Sequence, residues 1–224
     1  MYDRIIKLIG ENDFNKIKNK KVLIVGLGGV GGYAFETLVR SGINNIDIVD
    51  FDKIDISNLN RQIITNQSNI GNIKIEEAKK RALSINPLIN INAYNIFLDN
   101  NNIKELLSNN YDYVIDACDS VNTKLEIIKY SVSMNFKLIS SMGTARKLNP
   151  SMLSITTLDK TNYDPLARIL RRKVKELKIN KKIYVVSSTE KAIDCDGLGS
   201  FMMVPATAGI LCATYVINDI LKSV

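Results

Sequence analysis

The 224-residue sequence contains no histidine, no tryptophan and only three cysteines. Without histidine, catalysis by a Ser–His or Cys–His pair is excluded, so any general acid or base must be another side chain or the substrate itself. The cysteines Cys118, Cys195 and Cys212 form no C-x-x-C pair, and a structural zinc site is therefore not expected. Such sparse use of cysteine is typical of a protein in the reducing cytoplasm.

Long apolar runs are also scarce. Residues 1–11 lack the apolar core of a signal peptide. The most apolar stretch, residues 202–217, is short of a membrane span and contains Pro205 and Gly209. We interpret it as a buried C-terminal helix and a candidate subunit interface. The composition, 46% hydrophobic and 24% charged, indicates a globular protein outside the membrane, with residues 1–224 as a single domain.

The excess of positive charge is confined to one segment. The chain has 30 Lys and Arg against 23 Asp and Glu, a net charge of +7. Residues 165–182 contain eight of the basic residues and one acid, so the remainder, with 22 of each sign, is neutral. Such a local imbalance predicts a polyanionic partner at this segment.

The basic segment has the pattern of a helix. Asp164 is suited to the N-cap and Pro165 to the first helical position, and the apolar residues recur on one face. The basic residues lie mostly elsewhere: Arg168, Arg171, Arg172, Lys175 and Lys178. They form either the solvated face of a packed helix or contacts to a phosphate backbone, and we favour the second because the charge is so unbalanced.

An apolar run followed by glycines predicts a nucleotide site. Val22–Val25 is typical of a strand buried on both faces of a parallel sheet. Gly26, Gly28 and Gly31 follow with G-x-G-x-x-G spacing, and a helix is predicted over about 30–40. The three glycines allow a tight turn, close approach of a phosphate and close packing of the helix on the strand. The helix N-terminus favours an anion, although a tight turn without a ligand has the same pattern.

Strands and helices alternate along the first two thirds of the chain. Further strands are predicted at 46–49, 89–94, 113–117 and 138–140, with helices between them and an N-terminal helix over 4–18. This alternation predicts an α/β, Rossmann-like, doubly wound sheet that is mainly parallel. Residues 152–158 form a strand without a preceding crossover helix, so we expect antiparallel strands in the C-terminal part.

Polar side chains follow the second predicted strand. Asp50 lies 19 residues after Gly31, where a carboxylate accepts hydrogen bonds from ribose hydroxyls. An NAD enzyme fits this position equally well. Asn58, Arg61 and Lys74 then add an amide and two cations, which suit a triphosphate better than a dinucleotide pyrophosphate.

A further carboxylate, Asp119, follows the fourth predicted strand. It lies at the carboxyl edge of the sheet, where ligands bind in such folds. A carboxylate beside a triphosphate most simply holds Mg²⁺. Arg61 or Lys74 alone would indicate surface solubility, but the ordered set predicts a triphosphate site with Mg²⁺.

Together these residues resemble the adenylation core of the ubiquitin-activating-enzyme superfamily, whose bacterial members activate sulfur carriers. The resemblance covers about residues 4–145 and rests on the following positions: Gly26, Gly28, Gly29, Gly31, Asp50, Asp52, Asn58, Arg61, Gln62, Lys74, Cys118 and Asp119. It implies that these glycines and polar residues bind ATP, with Asp50 on the ribose and Asp119 on Mg²⁺. The catalytic set that it implies is Arg61, Lys74, Asp119 and Arg4.

Arg4 carries an implication about assembly. By the same resemblance, Arg4 matches an N-terminal arginine that reaches into the ATP site of a neighbouring subunit. Such a residue is useful only in an oligomer, and we therefore expect a homodimer, the commonest symmetric assembly.

The C-terminal part narrows the resemblance. The two C-x-x-C zinc pairs usual in sulfur-carrier activators are absent. Residues 159–168, Arg171, Arg172 and residues 199–209 are instead similar to the tRNA threonylcarbamoyladenosine dehydratase branch of the superfamily. That branch uses ATP to activate the carboxylate of N6-threonylcarbamoyladenosine beside the anticodon and closes it into a cyclic form with loss of water. The resemblance implies this reaction, with tRNA bound by Arg168, Arg171, Arg172 and Lys175.

Two other functions stay open at this point. The chain could activate a ubiquitin-like sulfur-carrier protein, or it could be a nucleotide-binding module without catalysis, loaded with NAD. Cys195 could be a thioester nucleophile, as in protein-activating relatives, but we favour an incidental cysteine. A sulfur-transfer protein is a further candidate partner.

Overall fold

The structure is a computed structural model that describes residues 1–222. Within these residues, seven strands form one sheet in the order β3-β2-β1-β4-β5-β7-β6. The strands are β1 Lys21–Val25, β2 Asn45–Val49, β3 Asn90–Tyr94, β4 Tyr113–Asp116, β5 Lys137–Ser141, β6 Leu153–Thr157 and β7 Tyr184–Ser188. Neighbouring strands are parallel except β6, which runs antiparallel to β7. The predicted α/β, Rossmann-like class is confirmed.

Helices cover both faces of this sheet. They are α1 Asp3–Ile9, α2 Glu11–Lys18, α3 Gly31–Ser41, α4 Lys74–Ile85, α5 Ile103–Leu107, α6 Val121–Ser133, α7 Pro165–Glu176 and α8 Met203–Lys222. Residues of β1 alternate between two cores, as side chains do along a strand. Val22 and Ile24 pack with α3, α4 and α8, whereas Leu23 and Val25 pack with α5, α6 and α7.

The C-terminal helix α8 is a core helix. It is long and apolar enough to cross a bilayer, but half of its apolar window is buried inside the fold. Gly209 lets α8 lie directly on the start of α3, because a Cβ at this position would be 2.2 Å from the Val30 carbonyl oxygen. The interpretation of residues 202–217 as a buried helix is therefore correct.

Two details differ from the sequence prediction. The N-terminal helix is broken at Gly10, whose φ of 81° is outside the helical region. Strand β7 was not predicted, although its five residues are central to the C-terminal half of the sheet. The predicted antiparallel pairing in the C-terminal part is present between β6 and β7, and β7 pairs in parallel with β5.

Candidate active site

A cleft of about 600 Å³ opens at the carboxyl edge of the sheet, at the ends of β1, β2, β4 and β5. It brings together ten of the residues predicted from sequence: Gly26, Gly28, Gly29, Asp50, Asp52, Asn58, Arg61, Gln62, Lys74 and Asp119. Gly31 lies under the turn, and Arg4 and the basic side chains of α7 lie outside the lining. Ligands of doubly wound folds bind at this edge.

The glycine turn joins β1 to α3 without space for side chains. A Cβ on Gly31 would lie 1.8 Å from the carbonyl oxygen of Gly26, so only glycine allows the helix to start here. Gly28 faces open space, with no atom within 4 Å of the position of a Cβ. The backbone at Gly28 is therefore accessible to a ligand in the cleft.

Asp50 fixes the shape of this turn. One carboxylate oxygen accepts a hydrogen bond from the Leu27 N–H at 2.6 Å, and the other accepts from the Asp52 N–H at 2.9 Å. A carboxylate has about four acceptor positions, so two hydrogen bonds leave capacity for a ribose hydroxyl. Asp50 thus orients the glycine turn and still lines the cleft.

Lys74 is a buried cation that faces the cleft. Its side chain is 3% exposed, and Nζ donates to Asp52 Oδ2 at 2.9 Å and lies 3.5 Å from Asp50 Oδ1. Asp52 itself is 49% exposed, so the pair is open to the cleft on one side. An ammonium group has three donors, and an incoming phosphate can share this charge.

The segment after β2 supplies the amide and guanidinium groups. Asn58 closes one turn of 3₁₀ helix, Ile56–Asn58, by accepting the Asp55 N–H at 3.1 Å. Arg61 donates to the Ser57 carbonyl oxygen at 2.8 Å, which holds the guanidinium in the cleft wall. These local hydrogen bonds place Asn58 and Arg61 side by side.

Gln62 has an unsatisfied acceptor. The residue is 7% exposed, lines the cleft, and its Oε1 has no hydrogen-bond partner within residues 1–222. A buried carbonyl oxygen without a donor is costly, and such groups are usually satisfied by water or a ligand. This atom is a specific sign that the cleft is shaped for a bound molecule.

Asp119 is an exposed carboxylate in the cleft, without an ion-pair or hydrogen-bond partner in the part of the chain that the structure describes. The described residues contain no group of three or more His, Cys, Asp or Glu that could hold a metal by themselves. Mg²⁺ rarely uses such a group, because it is usually bound by one or two carboxylates together with phosphate oxygens and water. The donor set therefore fits Mg²⁺ that is bound with a nucleotide.

Below the cleft lies a buried ion pair that the sequence analysis missed. Lys124 Nζ is 3.0 Å from Asp116 Oδ2 and donates to the Ser141 carbonyl oxygen at 2.8 Å, and both charged side chains are 0% exposed. Ser140 donates to the same Asp116 oxygen at 2.6 Å. Burial alone would lower the pKa of Lys124, but Asp116 outweighs it and the pKa is raised. The available signal in the sequence was Asp116, a charged residue at the end of the apolar strand β4.

The same carboxylate affects Cys118, which lines the cleft. Its Sγ lies 3.0 Å from Asp116 Oδ1. Burial, together with the negative charge of Asp116, raises the pKa of the Cys118 thiol well above its usual range. A raised pKa disfavours the thiolate, which is the nucleophilic form of cysteine.

The basic helix begins at the wall of the cleft. Asp164 caps α7 through the Ala167 N–H at 2.9 Å and also accepts the N–H of Gly143, a residue of the cleft lining, at 2.9 Å. Lys147 donates to the carbonyl oxygen of Gly143 at 2.8 Å, and burial lowers its pKa. Leu166, in the first turn of α7, lines the cleft as well.

The basic residues of α7 differ in their surroundings. Arg171 is half-buried and donates to the carbonyl and hydroxyl oxygens of Thr161, so this guanidinium is already engaged within the chain. Of the four others, Lys173 is half-buried, whereas Arg168, Arg172 and Lys175 are exposed, and only Arg172 has an ionic neighbour, Glu176 at 3.6 Å, within residues 1–222. The exposed positive charge on this surface is therefore that of Arg168, Arg172 and Lys175, of which Arg172 is paired with Glu176.

Two exposed phenylalanines, which were not predicted from the sequence as site residues, lie next to Asp50. Phe51 and Phe97 are in edge-to-face contact, with ring centroids 4.9 Å apart, and both line the cleft. Exposed aromatic rings in a cleft provide a flat apolar surface for a base. Phe97 follows β3, and only the pairing of β3 with β2 brings it to Phe51.

Known proteins are similar to this chain over nearly its whole length. The tRNA threonylcarbamoyladenosine dehydratase of Bacillus subtilis is 33% identical over 96% of this chain and 92% of its own length. The enzyme of the same name from Escherichia coli is 33% identical over 92% of this chain and 76% of its own length. A crystal structure of the E. coli enzyme in complex with ATP has a TM-score of 0.94 at 32% identity, covering 98% of this chain and 93% of that one.

A family profile also matches almost the entire chain. The profile of the ThiF family matches residues 2–223, which is almost the entire sequence. The match includes the glycine turn, the polar residues of the cleft and the C-terminal helix. The chain belongs to the ThiF family.

Proposed function

We propose that this chain is an ATP-dependent tRNA threonylcarbamoyladenosine dehydratase. It would activate the carboxylate of N6-threonylcarbamoyladenosine beside the anticodon and close it into a cyclic form with loss of water. The observation that carries the proposal is the start of the basic helix α7 at the wall of the nucleotide cleft. The similarity to dehydratases of B. subtilis and E. coli over most of the chain supports it.

The cleft offers a place for each part of ATP. In our proposal, Asp50 accepts hydrogen bonds from the ribose, and the base lies against Phe51 and Phe97. The backbone of Gly28 and Gly29 approaches the phosphates at the N-terminus of α3. The side chains that hold the phosphates are Asn58, Arg61, Gln62 and Lys74, with Asp52 holding Lys74 in position.

The chemistry needs charge stabilisation and proximity. A carboxylate is a poor electrophile, so an oxygen of the substrate carboxylate attacks a phosphorus atom of ATP and displaces pyrophosphate or ADP. A second group of the same modified base then attacks the activated carbonyl carbon and expels the phosphate group, so the nucleoside loses one water overall. Arg61 and Lys74 stabilise the charge that develops on phosphate oxygens. The second attack is intramolecular and fast without a histidine or cysteine nucleophile.

We also propose that Asp119 binds Mg²⁺ together with the phosphates. When bound there, Mg²⁺ neutralises phosphate charge and orients the leaving group. Asp119→Ala is expected to reduce ATP turnover on the order of 10²-fold or more at all Mg²⁺ concentrations, whereas Asp159→Ala, an exposed carboxylate outside the cleft lining, is the control. Turnover equal to wild type across a Mg²⁺ titration would contradict the assignment.

A homodimer is the third part of the proposal. Arg4 is exposed on α1, lies outside the cleft lining and has no ionic partner within the described chain. Exposed apolar residues are grouped around the start of α8: Leu198, Phe201, Met202, Met203 and Ile210. A symmetric dimer would cover such a surface and bring Arg4 to a second cleft.

A complementation experiment tests the role of Arg4. Arg4→Ala and Asp119→Ala are each expected to be inactive, and mixed dimers of the two are expected to regain part of the ATP turnover. The reason is that one cleft of the mixed dimer has both an intact Asp119 and an intact Arg4 from the other subunit. No recovery after subunit exchange, or a monomer with full turnover in sedimentation, would contradict the proposal.

Residues 1–224 are proposed to act as one cytoplasmic adenylation domain.

A sulfur-transfer protein remains a candidate partner. Of the three thiols, Cys195 is exposed, Cys118 is half-buried and Cys212 is buried. A partner that exchanges sulfur would have to meet Cys195. Retention of tRNA cyclisation in Cys195→Ala would separate this contact from the main reaction.

The direct test of the proposed function uses tRNA nucleosides. Purified protein with ATP and Mg²⁺ is incubated with tRNA that contains N6-threonylcarbamoyladenosine, with tRNA that lacks it, or with a carrier protein that ends in Gly-Gly. We expect only the modified tRNA to stimulate ATP turnover and to yield, by mass spectrometry, a nucleoside lighter by one water. Stimulation by the Gly-Gly protein instead would support activation of a sulfur carrier, and tight binding of NAD without turnover would support a nucleotide-binding module.

A further inference from the structure

We propose that Tyr163 and Lys191 form a stacking platform for an unpaired base of the RNA, at the rim of the cleft. The base is the one that neighbours the modified adenosine. The platform rests on the proposed function, because it requires an RNA loop that inserts one nucleotide into the cleft. It adds a binding site outside the nucleotide cleft, and neither residue belongs to the basic helix.

Tyr163 is held in an exposed position by its neighbours. Tyr163 is 59% exposed, and its φ of 53° lies in the left-handed region that bulky residues rarely adopt. On one side, buried Thr161 is bound by Arg171, and on the other, buried Asp164 is bound to Gly143 and Ala167. The ring is therefore carried by a short projection that is fixed at both ends.

Lys191 places a free positive charge at the ring. Its Nζ lies 5.2 Å from the centroid of Tyr163, within the distance of a cation–π contact. The preceding carboxylate of Glu190 is occupied by the backbone N–H groups of Leu148 and Asn149. Lys191 is exposed and has no carboxylate partner among residues 1–222.

In the other two lysine–tyrosine contacts of the described chain, the ring is buried and the lysine is paired with a carboxylate. Lys21 lies over Tyr111, and Lys137 over Tyr113, but both tyrosines are buried. Each of these lysines also has an aspartate partner, Asp47 for Lys21 and Asp219 for Lys137. Tyr163 with Lys191 differs in both respects, because the ring is exposed and the cation is unpaired.

The position relative to the cleft identifies the ligand. Tyr163 is the residue before Asp164, which binds the cleft residue Gly143, and consecutive Cα atoms are about 3.8 Å apart. Leu166 lines the cleft and Arg168 is exposed on the same turn of α7. Proteins recognise RNA loops by stacking splayed bases on aromatic rings and by binding the adjacent phosphates with cations. When one base enters the cleft, the face of its neighbour is freed to stack on Tyr163, with Lys191 near the phosphate.

Binding of an anticodon stem-loop that contains the modified adenosine tests the platform. Loss of a base–aromatic contact is expected to weaken affinity roughly 5- to 100-fold in Tyr163→Leu. Tyr163→Phe keeps the ring and should bind as wild type, and Lys191→Ala should weaken binding and reduce its salt dependence. Tyr184→Leu, a half-exposed tyrosine packed on Tyr215, is the matched control, and ATP affinity reports that each variant is folded.

A fluorescent base distinguishes stacking from a general loss of binding. With 2-aminopurine in place of the neighbouring base, fluorescence should fall on binding to wild type and Tyr163→Phe but not to Tyr163→Leu. A stem-loop with an abasic neighbour should bind wild type and Tyr163→Leu equally, because the interaction is then absent from both. If wild type cyclises the nucleoside and Tyr163→Leu has wild-type affinity, the platform is wrong and the proposed function stands. If wild type neither binds nor cyclises the modified RNA, the proposed function is wrong and the platform falls with it.

Discussion

Two buried lysines, 50 residues apart in sequence, differ in their relation to the cleft, because Lys74 lines it and Lys124 does not. Lys74 pairs with Asp52, which is half-exposed in the cleft, whereas Lys124 pairs with Asp116, and neither of these side chains is exposed. Lys124 also contacts Ser140 and Ser141, so its donors are satisfied within the chain. The distance between charged atoms is nearly the same in the two pairs, 2.9 and 3.0 Å.

If Lys74 binds phosphate as proposed, solvent access, and not the presence of an ion pair, separates it from the structural Lys124. A sealed pair has no free donor to offer, and removal of one partner leaves a buried charge. An open pair can exchange its carboxylate partner for a phosphate. The same distinction applies on α7, where Arg171 is engaged by Thr161 and Arg168 is exposed.

The largest effect is expected for the sealed pair. Lys124→Ala leaves the Asp116 carboxylate buried without its cation and should lower the free energy of unfolding by about 3–5 kcal/mol. Denaturant titration at neutral pH measures this change. The double variant Lys124→Met with Asp116→Asn removes both charges and should recover much of the stability, and a loss below 1 kcal/mol for Lys124→Ala would contradict the comparison.

The open pair should respond in activity instead of stability. Lys74→Ala is expected to reduce ATP turnover on the order of 10²–10³-fold, because the proposed donor to the phosphates is lost. Its effect on unfolding should be smaller than that of Lys124→Ala, since Asp52 can be solvated from the cleft. Lys80→Ala, an exposed lysine of the same helix, is the control. Equal loss of stability in the Lys74 and Lys124 variants would remove the distinction.

On the basic helix, replacement of the exposed arginines should change tRNA affinity, whereas replacement of Arg171, which is bound to Thr161, should change the stability of the fold. Arg168→Glu with Arg172→Glu is expected to weaken tRNA binding, and each lost phosphate contact should reduce the slope of log affinity against log salt by about one. Arg171→Ala should mainly lower thermal stability, because Thr161 loses its donor. The measurement is tRNA affinity at several salt concentrations. If the arginine variants bind tRNA as tightly as wild type, the basic residues of α7 form only a solvated face.

The smallest effect is expected for an ion pair near the surface. Glu36 accepts hydrogen bonds from Arg81 and Arg40, and although burial acts in the opposite direction, these arginines lower its pKa below the ordinary 4.5. A lowered pKa stabilises the folded chain above about pH 4.5, and this contribution is lost as the pH falls through the pKa of the folded state. Unfolding free energies measured from pH 7 to pH 3 should therefore fall less steeply in Glu36→Gln than in wild type. Parallel curves would show that the pair contributes nothing.

Much of the nucleotide cleft was predictable because its residues form one local turn or directly follow predicted strands. Gly26 to Gly31 form a continuous turn, and the apolar run before them and the helical pattern after them predict a strand, a tight bend and a helix. Asp50 and Asp119 each follow an apolar strand, and parallel strands end at the same edge of a sheet. The capped start of α7 was equally visible, because Asp164 and Pro165 act on their own helix.

By itself, then, the sequence determined the alternation of strands and helices, the glycine turn, the polar residues at the strand ends and the basic helix. Only the tertiary structure decided which of these cations are free. Burial of Lys124, the contact of Arg171 with Thr161 and the contact of Asp164 with Gly143 join segments that are 8 to 21 residues apart. Each of these contacts depends on how helices pack on the sheet. The residue type determines the charge of a side chain, but the elements packed around that side chain determine its solvent access and its partners.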